Sequence, residues 1–142
     1  MSDEQYMKMA IDEARIAYNE DEVPIGAVII KDGVVISKAH NLREGLKDPT
    51  AHAEILAIKG AAKALGGWRL EGCDLYVTIE PCPMCAGAIV LARIRRLIYG
   101  APDPKAGACG SVMDVIANPK LNHKVEVVQG VMIQECSRII KD

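Results

Sequence analysis

The sequence predicts a three-layer α/β/α domain around a mixed five-stranded sheet, with residues 1–142 forming one unit. Two observations predict it. A hairpin signal near the start is followed by strands that alternate with helix-length periodic segments, the pattern of a layered α/β domain. The first strand candidate, Ile25-Gly26-Ala27-Val28-Ile29-Ile30, is apolar almost throughout, as suits a strand covered on both faces. A chain of 142 residues is long enough to bury a sizeable core.

Taken in order, residues 3–20 place Tyr6, Met9, Ala10, Ala14, Ile16 and Ala17 near helical period with acids outside, an amphipathic helix. The strand at 25–30 meets Asp32-Gly33, which suits a tight turn with positive φ, and returns through Val34-Val35-Ile36-Ser37. Residues 40–50 form a polar loop ending Asp48-Pro49-Thr50, with Thr50 expected to cap a helix from Ala51 to about Leu65. Gly66-Gly67 stops that helix, and Leu75-Tyr76-Val77-Thr78-Ile79 is a strand. Pro83 opens the next helix, which reaches about Ala92, because proline is favoured in a first turn. Arg96 to Gly100 is a strand, 101–111 a Gly- and Pro-rich loop, 112–117 a short helix, 124–128 a strand and 131–140 a final helix.

Half the residues are hydrophobic and a quarter charged, with no Phe, so packing must lean on Ile, Val, Leu, Ala and Met. No apolar run approaches the roughly 18 residues that span a membrane. Met1-Ser2-Asp3-Glu4-Gln5-Tyr6 has neither the basic nor the apolar part of a secretory leader, so a cytoplasmic location is expected. Residues 1–22 hold seven acids against Lys8 and Arg15, a net of −5, while residues 23–142 carry a net of +3. A nucleic-acid partner would therefore be met by a local basic patch, not by the field of the whole molecule. Five cysteines without a leader do not suggest a disulfide framework. Cys73, Cys109 and Cys136 are expected to be buried as small hydrophobes.

The remaining two cysteines stand in Pro81-Cys82-Pro83-Met84-Cys85, and thirty residues upstream lies His52-Ala53-Glu54. Two thiols and one imidazole make three donors, the number a catalytic zinc site uses when its fourth position stays open. Cys82 and Cys85 open a predicted helix, where free N–H groups and the positive end of the helix dipole favour thiolate. Glu54 is placed to take a proton from water at such a site. Residues two apart on a helix normally splay to opposite sides, so His52 and Glu54 can both face the ion only from the helix end. A Cys-x-x-Cys pair alone also serves structural zinc half-sites and redox centres. A closed structural site would need a fourth ligand from Cys73, Cys109, His40 or His123, none at short ligand spacing from another.

The likeness extends well beyond these motifs. Glu22-Val23-Pro24-Ile25-Gly26-Ala27, Asp48-Pro49-Thr50-Ala51-His52-Ala53-Glu54, Glu80-Pro81-Cys82-Pro83-Met84-Cys85 and Asp103-Pro104-Lys105-Ala106-Gly107-Ala108-Cys109-Gly110-Ser111, followed by Asn122-His123-Lys124-Val125, run through most of the chain. Over about residues 3–137 the chain resembles the bacterial tRNA-specific adenosine deaminases, whose metal signature has this form. Guanine deaminases share the metal motifs and the Asp-Pro-Thr lead-in but not the 103–111 segment. The resemblance implies a cytidine-deaminase-like fold and one Zn2+ per subunit, held by His52, Cys82 and Cys85. It implies a homodimer that converts the wobble adenosine of a tRNA anticodon stem-loop to inosine, with Glu54 as the catalytic acid and base.

It further implies a set of substrate contacts. Asn41 would read purine edge atoms, Val23 and Pro24 would wall the pocket, and Ala53 would touch the base. Asp103 and Lys105 would meet ribose and phosphate, with Asn122 and His123 similar in kind. Arg93, Arg95 and Arg96 form a basic cluster that could serve RNA, a dimer contact or solvent. Relatives carry a Phe-Phe pair and several arginines on the last helix. Here that stretch reads Arg138-Ile139-Ile140-Lys141-Asp142, with only Arg138 and Lys141 basic, so the resemblance leaves the RNA affinity of this end open.

Two other readings stay in view. One is a deaminase of free bases or nucleosides of the guanine or cytosine type. The other is a zinc-stabilised RNA-binding module without catalysis, in which Glu54 would be dispensable.

Overall fold

The computed structural model describes residues 1–141. Helix α1 (Asp3–Asn19) precedes the hairpin β1 (Gly26–Lys31) and β2 (Val34–His40). Helix α2 (Ala53–Leu65), strand β3 (Cys73–Ile79), helix α3 (Pro83–Leu91), strand β4 (Arg96–Ala101), strand β5 (Glu126–Gln129) and helix α4 (Ile133–Lys141) follow. The strands form one mixed sheet in the order β2-β1-β3-β4-β5. The β1 strand pairs antiparallel with β2 and β3, whereas β3 with β4 and β4 with β5 are parallel.

The alternation of β1 explains the three layers. Ala27 and Ile29 face a core shared with α2 and α3, through Ala57, Ala61, Ile89 and Val90. Val28 and Ile30 face the other way, into Tyr6, Met7, Ala10, Ile11 and Ala14 of α1 with Ile139 of α4. Both faces of the sheet are thus covered, as the unbroken apolar run requires. With no Phe available, the bulkiest aromatic contact is Tyr6 against Tyr76, ring centroids 5.2 Å apart. Among the described residues no helix is long and apolar enough to cross a membrane.

Local signals act where the sequence places them. Asp32 and Gly33 take φ of 51° and 75°, closing the hairpin. Gly66 ends α2 in the left-handed region at φ 75°. Pro83 occupies the first turn of α3. The Ser2 hydroxyl and the Gln5 side chain form a reciprocal capping box at the start of α1.

Two expectations are corrected. Helix α2 begins at Ala53, with His52 at its N-cap, and Thr50 instead donates its hydroxyl to Asp48. Residues 112–117 do not form a helix. The Val112 and Met113 amides donate to the Gly107 carbonyl, the Val115 amide to Ala108, and Cys109 bridges Asp114. These bonds fold residues 112–115 back onto the 107–109 backbone as turns and a single bridge, in place of a helical path.

Candidate active site

Two helix starts meet at the carboxyl end of β3, where open α/β sheets gather their ligands. One is His52, the N-cap of α2, whose side chain caps nothing. The capping task is done from outside: the Asn41 Oδ1, just after β2, accepts the Ala53 N–H at 2.7 Å. The imidazole is thereby released towards α3. There Cys82 is the N-cap and Cys85 lies in the first turn, after Pro83. The His52 Nδ1 stands 3.7 Å from the Cys82 Sγ and 3.6 Å from the Cys85 Sγ.

These distances test whether a metal ion fits. Tetrahedral zinc with Zn–S near 2.3 Å and Zn–N near 2.0–2.1 Å spaces nitrogen and sulfur ligands about 3.6 Å apart. The donor atoms of the three residues all lie within 4.8 Å of one another, close enough to share one ion. No other cluster of three or more His, Cys, Asp or Glu with metal-holding geometry occurs among the described residues.

The electrostatics suit a cation. The hydrogen bond from the Cys85 thiol, followed by backbone N–H groups of Cys85 and Met84 and the nearby His52, brings Cys82 down to about 5 against the cost of its burial. That same bond and burial push the Cys85 thiol up, opposite to its partner. Glu54, in the first turn of α2, is 3% exposed. Burial raises it to about 7, and the negative Cys82 adds to the rise. A carboxyl poised near neutrality can both accept and release a proton.

A cavity of about 290 Å³ opens over this group. Val23, Ile25, Ile79, Ala106 and Ile140 give it apolar walls, while Asn41, Arg43 and Asp103 add polar groups beside His52, Glu54 and Cys82. A larger cleft of about 440 Å³ at α1 and α4, lined by Arg15, Tyr18, Glu135, Arg138 and Ile139, lacks any such donor set.

Of the expected substrate contacts, Asn41, Val23 and Asp103 line the cavity. Pro24 borders a neighbouring cleft with Tyr18, Val23 and Lys141. Ala53 is packed in the core, and only its amide engages Asn41. Lys105 is exposed and outside the cavity lining. Asn122 is exposed, and the His123 ring bonds the Ile94 carbonyl at 2.7 Å; neither lines the cavity.

The basic cluster is divided. Arg95 and Arg96 pair with Asp74, and Arg96 also with Asp3 and Glu126. Arg93 caps the Val90 carbonyl and lies 5.8 Å over Trp68. Cys73 and Cys136 are buried as expected, while Cys109 is partly buried.

Sequence reasoning passed over Ile25, Ile79, Arg43, Ala106 and Ile140 as lining, and over Glu80. That buried carboxylate accepts from the amides of Asp103, Cys109 and Ser111 and from the Ser111 hydroxyl. Burial opposes its charge, but those four donors outweigh it and hold the group below the usual carboxylate range. Its signals were an acid standing where an apolar strand ends and its place at the head of the Glu80-Pro81-Cys82 motif.

An open set of three metal donors, a buried acid beside it and a cavity above both define a hydrolytic deaminase of bases. The comparisons agree. A family model for MafB19-like deaminase matches residues 1–140. The tRNA-specific adenosine deaminase of Bacillus subtilis (strain 168) is 54% identical over 138 residues, covering 97% of this chain and 86% of that protein. Its counterpart in Agrobacterium fabrum is 51% identical, covering 96% and 90%. A solved chain from a study of A-to-I editing by tRNA:A34 deaminases at the wobble position superposes with a TM-score of 0.92 at 51% identity, covering 95% and 98%. Guanine deaminase from Bacillus subtilis is more distant, at 36% identity and a TM-score of 0.71, covering 97% and 91%. The chain belongs to the MafB19-like deaminases and, within them, to the tRNA-specific adenosine deaminase family.

Proposed function

We propose that residues 1–142 form a single deaminase domain that hydrolyses adenosine to inosine at the wobble position of a tRNA anticodon loop. The observation that carries this reading is the convergence of His52, Cys82 and Cys85 beside buried Glu54, under a cavity sized for one extruded base. The substrate assignment rests on the relatives named above, which include two tRNA-specific adenosine deaminases.

His52 Nδ1 and the two sulfurs would hold Zn2+, which when bound supplies Lewis acidity that brings water into its ionising range near neutral pH. The Glu54 carboxylate takes one proton from the attacking water as its oxygen bonds to carbon six of the purine. The same carboxyl then delivers that proton to ring N1. It next carries the remaining proton of the new C6 hydroxyl to the exocyclic amine, the C–N bond breaks as the C6 carbonyl forms, and water plus adenosine has become inosine plus ammonia. Val23 and Ile25 exclude solvent from the face of the base. The Asn41 side chain, fixed by its bond to the Ala53 amide, presents its remaining polar atoms to the purine edge.

Asp103 faces the ribose side, exposed Lys105 a phosphate, and Pro24 the outer wall. Ala53 supports the site through the bond of its amide to Asn41, while Asn122 and His123, whose ring bonds the Ile94 carbonyl ahead of β4, would meet the RNA away from the cavity. A homodimer in the cytoplasm completes the reading, supported by exposed Leu91, Val112 and Met113 on and after α3.

The test is inosine formation from an adenosine-bearing anticodon stem-loop, with single-stranded DNA, guanine, cytosine and adenosine as further substrates. The wild type should convert the RNA, and Glu54→Gln should lose about 10²–10⁴ in turnover while keeping its metal. Ammonia from guanine with none from RNA would replace this reading by that of a free-base deaminase. No product from any of these substrates by the metal-loaded wild type, with RNA bound equally by wild type and Glu54→Gln, would replace it by a binding module.

A further inference from the structure

Glu80 lies two residues before Cys82, with 1% of its surface exposed. Both carboxylate oxygens are committed to the 103–111 loop. Oε1 accepts the Asp103 amide at 3.0 Å and the Ser111 hydroxyl. Oε2 accepts the amides of Cys109 at 2.9 Å and Ser111 at 3.1 Å. The backbone joins in, since the Glu80 amide donates to Ala101 and the Ala108 amide to the Pro81 carbonyl, at 2.8 and 2.9 Å. The fit leaves no slack at Gly107, where a Cβ would fall 2.5 Å from the Glu80 Oε2 and 2.6 Å from the Asp103 carbonyl oxygen.

Hydrolysis of the base needs none of this. What the four bonds secure is the segment that brings Asp103 and Ala106 to the cavity rim, the Asp103 carboxylate being turned in to accept the Lys105 amide. We propose that Glu80 is a positioning residue that shapes the 103–111 loop to seat the nucleic-acid strand flanking the reacting base. This deepens the substrate reading above and rests on it. Because the same residues lead straight into Cys82, the rim is registered to the metal-binding end of α3, and flanking strand and reacting base are held in one frame.

Glu80→Gln tests it with little change of shape. The amide keeps one oxygen for the Cys109 and Ser111 amides, but its NH2 then opposes the Asp103 N–H, and only the Ser111 hydroxyl can turn to accept. Amide hydrogen exchange, zinc content, and kcat and KM on the stem-loop are measured together. Exchange over residues 103–111 should quicken about tenfold or more, with the start of α2 unchanged and about one zinc per chain retained. KM should rise about tenfold while kcat stays within about threefold. Ser111→Ala, which removes only the hydroxyl bond, should move both readouts in the same direction by less, and it serves if Glu80→Gln does not fold.

Unchanged exchange over 103–111, loss of zinc, or a fall in kcat at constant KM would each overturn the proposal. If the wild type leaves the stem-loop unedited, it is the substrate reading that fails. The exchange result still judges the clamp.

Discussion

The Asn41 Oδ1 holds the Ala53 amide at 2.7 Å, tying the end of β2 to the first turn of α2. A helix start normally uses its own N-cap side chain for this bond. Here the N-cap is His52, and the bond from Asn41 leaves its imidazole available to the two sulfurs. Asn41→Ala should leave a buried N–H without a partner and cost about 1–3 kcal/mol. In a chain of this size that is a drop of several degrees in melting temperature. Turnover should fall together with stability, because the start of α2 carries both His52 and Glu54. Thermal denaturation beside steady-state kinetics would check it; a stable but inactive Asn41→Ala would assign the residue to substrate alone.

What could be read in advance divides by range. Helical period in α1, the Asp32-Gly33 turn, Gly66 and Pro83 are local devices, and each acts where its residues stand. The grouping of His52, Cys82 and Cys85 as candidate metal donors was legible because helix starts favour thiolate and because the spacing recurs in a known family. The departures come from bonds across the chain. Thr50 lost the cap to a side chain twelve residues before Ala53, and residues 112–115 are folded back onto the Gly107 and Ala108 carbonyls. His123 is drawn to a carbonyl 29 residues away, and Glu80 to a loop whose ends lie 23 and 31 residues on. Nothing periodic marks such partners.

Removing metal donors separates binding from chemistry. His52→Ala, Cys82→Ser and Cys85→Ser each take one of the three donors, and two are too few for a site of this kind. Each variant should purify with little zinc, and its melting temperature should no longer respond to a chelator. In the wild type, chelation should lower the melting temperature, since an ion that binds only the folded chain stabilises it. Glu54→Gln should behave as the wild type in this assay. Equal zinc content in Cys82→Ser and the wild type would refute the donor set.

The approach of α1 to β1 is set by Gly26. A Cβ there would overlap the Ala10 carbonyl oxygen and lie 2.6 Å from the Ala14 amide nitrogen, both helix backbone that cannot turn aside. Gly26→Ala should therefore push α1 off the sheet and cost about 3 kcal/mol. Gly67→Ala meets nothing within 4 Å and should stay within about 0.5 kcal/mol of the wild type. Urea denaturation of the two variants compares them directly. Equal midpoints would mean that α1 can shift freely.

His40 links α1 to the end of β2 beside Asn41, with Nδ1 3.0 Å from Glu13 Oε1 and Nε2 2.9 Å from Glu20 Oε1. A neutral imidazole can donate to one carboxylate only; the imidazolium serves both. Burial works against the charge, but bonds and attraction to Glu13 and Glu20 prevail and raise the ring above its ordinary 6.5. A group raised on folding stabilises the folded chain fully below its unfolded pKa. That contribution is lost as pH climbs through the folded value. The stability difference between the wild type and His40→Gln, from urea titrations, should be largest near about pH 5.5 and shrink towards about pH 9. A difference that grew with pH would mean that the ring is held neutral, with one of the two carboxylates left unpaired.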